Sequence, residues 1–90
     1  MKSRRGAILS VLARHAGLPA EALDPWQDLY RDLEMTPLEV VLVALDIEGI
    51  EGERISVEGL DRARTVGDLV SYVTRQVAQA RLARAELDVA

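Results

Sequence analysis

One stretch of the chain concentrates carboxylates, aromatic rings and a hydroxyl: Trp26-Gln27-Asp28-Leu29-Tyr30-Arg31-Asp32-Leu33-Glu34-Met35-Thr36-Pro37-Leu38-Glu39. Asp28, Asp32, Glu34 and Glu39 could gather round a cation, but their spacing fits no calcium loop, and a solvated acidic face is the simpler reading. Trp26 and Tyr30 could form a ligand platform; a plainer role is to pin a loop to the body of the domain. The Thr36 hydroxyl has the position of a helix cap rather than of a nucleophile. Elsewhere Ser56 and Ser71 read as turn and solvent-face residues, and His15 as a helix-end residue favoured by the dipole. The chain has no cysteine and one histidine, so thiolate chemistry and a two-histidine metal site are excluded. A nucleophile–base pair is missing, and an enzyme is the least supported class.

These residues must be positioned by helices. Ile8, Leu9, Val11, Leu12 and Ala16 repeat at helical spacing over 4–16, and Gly17 stops that helix. Gly6 weakens its first turns. Leu18 to Met35 is a long loop with Pro19 and Pro25, anchored by Leu23, Trp26, Leu29, Tyr30 and Leu33. Thr36-Pro37-Leu38-Glu39 opens the second helix as a capping box, with proline at the first helical position. That helix is expected to run to about Glu48 and end at Gly49. A short helical turn fits within 57–62. Thr65-Val66-Gly67-Asp68 caps the last helix, whose stripe is Val66, Val70, Val73, Val77 and Ala80. That helix is expected to continue past Ala80 and fray near Val89 and Ala90. Nothing reads as a strand.

The chain has 90 residues, 49% of them apolar and 29% charged, the composition of one small globular domain. A single domain over 1–90 is expected, with a core at about 4–80 and a C-terminal extension over 81–90. The net charge of −4 hides an asymmetry. Glu21 to Asp61 holds twelve acids against Arg31 and Arg54, a local charge of −10, and the rest of the chain carries +6. An acidic middle repels nucleic acid and favours basic partner surfaces. The longest apolar run, Val40 to Leu45, is far too short for a membrane span, and no signal peptide is visible. A cytoplasmic protein without membrane or nucleic-acid partners is expected.

Asp28 to Glu39 resembles the signature of acyl carrier proteins, in which an aspartate-leucine-glycine run leads into aspartate-serine-leucine. Leu42-Val43-Ala44-Leu45 is similar to that family's second helix, and Thr65-Val66-Gly67-Asp68 to the start of its last. The resemblance covers about 17–73. It implies an all-α, acyl-carrier-like four-helix bundle with a long loop between helices one and two. The family esterifies a serine at the start of helix two with phosphopantetheine. In this register the serine position is Pro37, which has no hydroxyl, and the preceding glycine is Glu34. Thr36 is the one nearby substitute. The expectation is therefore a bundle without phosphopantetheine or another cofactor, with a carrier modified at Thr36, or altered at position 37, as the alternative.

Helix two is apolar on both sides. At about 100° per residue, Val40, Val43, Ile47 and Ile50 share one face and Leu38, Val41, Leu42 and Leu45 the other. Periodicity alone leaves open whether one face or both are buried. The resemblance implies that Val40, Val43 and Ile47 are core. Leu38, Glu39, Val41, Leu42, Leu45 and Glu48 are then the residues that would meet a partner. By that reading the partner is a biosynthetic enzyme of a polyketide, fatty-acid or nonribosomal peptide pathway with a carrier-docking surface. A second copy of the chain, or an unrelated helical subunit that homodimerises, is the other reading.

Overall fold

Ser3 accepts a hydrogen bond from the Gly6 amide and starts helix α1, Arg4–Ala16, which Gly17 ends in the left-handed conformation. A computed structural model describes residues 3–88 of the chain. Helix α2 is Pro37–Glu51 and helix α3 is Val66–Asp88. Two single 3₁₀ turns, Ala20–Ala22 and Leu60–Arg62, complete the order. The fold is all-α as expected, but among the described residues it has three α-helices: the fourth element of the expected bundle is only the turn at Leu60–Arg62. The fraying expected at Val89 and Ala90 lies outside the described residues.

Helix α2 runs beyond the expected stop. Gly49 stays helical, and Gly52 forms the C-cap at φ 71°, its amide bonded to the Glu48 carbonyl. A left-handed cap needs a residue without Cβ strain, and Gly52 provides it.

The core is built from one stripe of each helix. Ile8, Val11 and Leu12 of α1 meet Val40, Val43 and Ile47 of α2 and Val66, Leu69, Val73 and Val77 of α3. Each of these side chains contributes roughly 1.5–3 kcal/mol by leaving water. The long loop holds down with Leu23, Leu29, Leu33 and Met35, all buried. Trp26, expected among the anchors, is instead 70% exposed. Its backbone explains why. The segment around it is laced to the start of α3: Leu29 N–H donates to the Arg64 carbonyl, Val66 N–H to Gln27 and Gly67 N–H to Pro25, at 2.8–2.9 Å. Asp28 and Thr65 form an isolated β-bridge there. A loop fixed through its main chain does not need its indole as an anchor. Gly67 permits this approach, because a Cβ there would lie 3.2 Å from the Pro25 carbonyl oxygen.

Candidate functional site

The N-terminus of α2 is the capping box read from the sequence. Glu39 N–H donates to Thr36 Oγ1 at 3.2 Å, and Thr36 N–H donates to Glu39 Oε1 at 2.9 Å. Pro37 follows at the first helical position, exposed and without a hydroxyl. The Thr36 oxygen is thus engaged with the helix backbone. Just upstream, Glu34 has φ 54°, so this residue adopts the left-handed conformation that glycine adopts freely. Glu34 stands where the family resemblance implies glycine, and the left-handed backbone costs a residue with a side chain about 1–2 kcal/mol.

From Pro37 onward the two sides of α2 part cleanly. Val40, Val43, Ala44 and Ile47 are at most 1% exposed, whereas Leu38, Leu42 and Leu45 are 41–66% exposed. Val41 is half-buried at the edge of the core. Ile50 departs from expectation: it shares the angular position of the core stripe but is 60% exposed. It lies in the last turn of α2, where no buried side chain of α2 remains. The outward leucines are flanked by Glu39 and Glu48, and both carboxylates have structural partners. Glu39 closes the capping box, and Glu48 Oε2 accepts the Ile55 amide at 2.8 Å.

A groove missed by sequence reading opens beside Pro37. It is about 370 Å³, walled by Tyr30, Val40, Val41, Val57 and Leu60, with Glu58 and Asp61 in its lining. Leu60 is buried and Val57 is 45% exposed, so two residues of the stretch expected to form only a short turn make one wall. The signal available was their spacing after the polar stretch, which says nothing about distance to Pro37.

The acidic cluster serves the backbone. Asp28 Oδ1 accepts the amides of Arg31 and Tyr30, which hold its carboxyl below its ordinary value of 3.8. Asp32 accepts the Asp28 amide at 2.7 Å. Among the described residues no group of three or more carboxylates or imidazoles is placed to hold a metal ion. His15 is more than a helix-end residue: its Nε2 lies 2.6 Å from Asp46 Oδ2, joining α1 to α2. That hydrogen bond lowers the Asp46 pKa, with Arg14 adding a weaker attraction at 3.6 Å.

The phosphopantetheine attachment site family matches residues 6–73. The chain is 33% identical over 78 residues to an acyl carrier protein of Saccharopolyspora erythraea, covering 87% of this chain and 82% of that protein. It is 29% identical over 68 residues to the meromycolate extension acyl carrier proteins of Mycobacterium leprae and Mycobacterium tuberculosis. Those matches cover 76% of this chain and 59% of each mycobacterial protein, so the chain spans about three-fifths of their length. The chain belongs to the phosphopantetheine-attachment family of acyl carrier proteins. Among the described residues no helix is long and apolar enough to cross a membrane.

Proposed function

We propose that this protein is an acyl-carrier-like domain that carries no phosphopantetheine arm and acts by docking. Its partner is a cytoplasmic enzyme of a polyketide, fatty-acid or nonribosomal peptide pathway, and the domain itself catalyses nothing. The observation that carries the reading is the start of α2: Pro37 stands at its first position, and the Thr36 hydroxyl beside it is held in a capping box. A phosphodiester to phosphopantetheine needs a free hydroxyl, and proline has none. The docking half of the reading is supported by the outward leucines of α2. Leu38, Val41, Leu42 and Leu45 offer an apolar centre, and Glu39 and Glu48 give it an acidic margin. Exposed apolar surface of this kind marks interaction sites on small domains. The fitting partner surface is apolar at its centre and basic at its rim.

The test is intact-mass measurement after incubation with a broad-specificity phosphopantetheinyl transferase and coenzyme A. The mass is expected to stay unchanged. A gain equal to the phosphopantetheine arm overturns the reading. If that gain disappears in Thr36→Val, the protein is a carrier modified at Thr36.

A further inference from the structure

The face of the domain formed by the Leu60–Arg62 turn and α3 carries a cleft of about 310 Å³. Arg62 of the turn and Arg75 of the helix line it, together with Ser71 and Tyr72. Among the described residues Arg5, Arg31, Arg54, Arg62 and Arg75 form no ion pair, and of these Arg62 and Arg75 line one cleft together. An anion held between two guanidinium groups is attracted by both and offsets their mutual repulsion. The one carboxylate in the lining belongs to Asp68. Its Oδ2 already accepts the amides of Arg64 and Thr65, the first of which contributes most to its lowered pKa. The wall is rigid. Tyr72 donates its hydroxyl to the Ser56 carbonyl at 2.5 Å, and its ring packs on Gly59, where a Cβ would come within 3.1 Å.

We propose that this cleft binds the phosphate group of a small phosphorylated molecule through Arg62 and Arg75, with the Ser71 hydroxyl as a further donor. Guanidinium groups match phosphate geometry, offering paired N–H donors to paired oxygens. In a chain of net charge −4 a local pair of uncommitted cations stands out against the surrounding field. The cleft shares no residue with the α2 docking face, so neither its success nor its failure bears on that reading.

The experiment is titration of the full chain, followed by amide resonances, with inorganic phosphate and separately with glycerol 3-phosphate at constant ionic strength. Saturable shifts are expected at Arg62, Ala63, Ser71 and Tyr72 with glycerol 3-phosphate. Arg62→Gln and Arg75→Gln should each weaken binding by about tenfold, the loss of one charge-assisted contact. Arg5→Gln, remote from the cleft, should leave it unchanged. Saturation with inorganic phosphate alone overturns the assignment to a phosphorylated molecule and makes the site one for the free anion. Non-saturating shifts, or shifts unaltered in both cleft variants, overturn the site itself. All three exposed arginines are substituted on the surface, and an unchanged helical circular-dichroism signal verifies the fold of each variant.

Discussion

Glu34 is where backbone conformation and side chain disagree most directly. The backbone before α2 turns through φ 54° at this residue. An L-residue with a side chain loses about 1–2 kcal/mol in the left-handed region. Glycine removes that strain but loses more chain entropy on folding, about 0.5–1 kcal/mol. Glu34→Gly is therefore expected to raise stability by up to about 1 kcal/mol, and Glu34→Val, with a branched Cβ, to lower it. Denaturant unfolding checks both, and a fall in stability for Glu34→Gly would contradict the strain argument. The same neighbourhood shows what residue types reveal by themselves. Thr36, Pro37 and Glu39 were legible because a capping box is local, and each member meets its partner within one turn. The pairing of His15 with Asp46 was not legible, because nothing in a chain of residues specifies contact between positions on two different helices.

Helix α2 extends the same contrast to the scale of an element. Its two apolar faces were visible in the sequence, and only the packing of α1 and the following loop against it decides which is core. Val43 is fully buried and Leu45 is 46% exposed, two residues apart. Leu45→Glu should change stability by less than about 1 kcal/mol and keep the helical circular-dichroism signal, since it places a carboxylate in water. Leu42→Glu should behave likewise. Val43→Glu buries an unpaired carboxylate and should cost more than about 4 kcal/mol, enough to unfold a small domain. Thermal melts of the three variants separate these outcomes, and unfolding by Leu45→Glu would place the outward face in the core. Helix α2 passes through Gly49, where the sequence pattern predicts its end, for a physical reason. Glycine lowers helix propensity by only about 1 kcal/mol, and the packing of Ile47 outweighs that, so the helix continues until Gly52 provides a left-handed cap.

At the scale of the whole molecule the charge asymmetry organises the fold. Every ion pair among the described residues joins an acid from the segment 21–61 to a base outside it. The densest group closes the end of the domain. Glu51, at the end of α2, meets Arg4 of α1 at 3.3 Å and Arg81 of α3 at 2.9 Å. Among the described residues Glu53 is the one buried charged residue, 6% exposed, and it pairs with Arg84 and with Arg81. The last core residue of α3 is Val77, so beyond it α3 is held mainly by its arginines. Deleting 81–90 removes Arg81, Arg84, Glu86 and Asp88 together and leaves the net charge at −4. A loss of stability would then report position rather than total charge. Glu53 would remain in a mostly buried site without a cation, and an uncompensated charge of that kind costs about 1–3 kcal/mol. For a domain of this size each 1 kcal/mol lowers the melting temperature by roughly 4–8 °C. The truncated chain is expected to melt lower by that measure, and Glu53→Gln in the truncated background should recover most of the loss, because a neutral amide does not need the missing cations. An unchanged melt on truncation would mean that the arginines of α3 contribute nothing to the fold. A lower melt without recovery by Glu53→Gln would assign the loss to helix length instead of to the buried carboxylate.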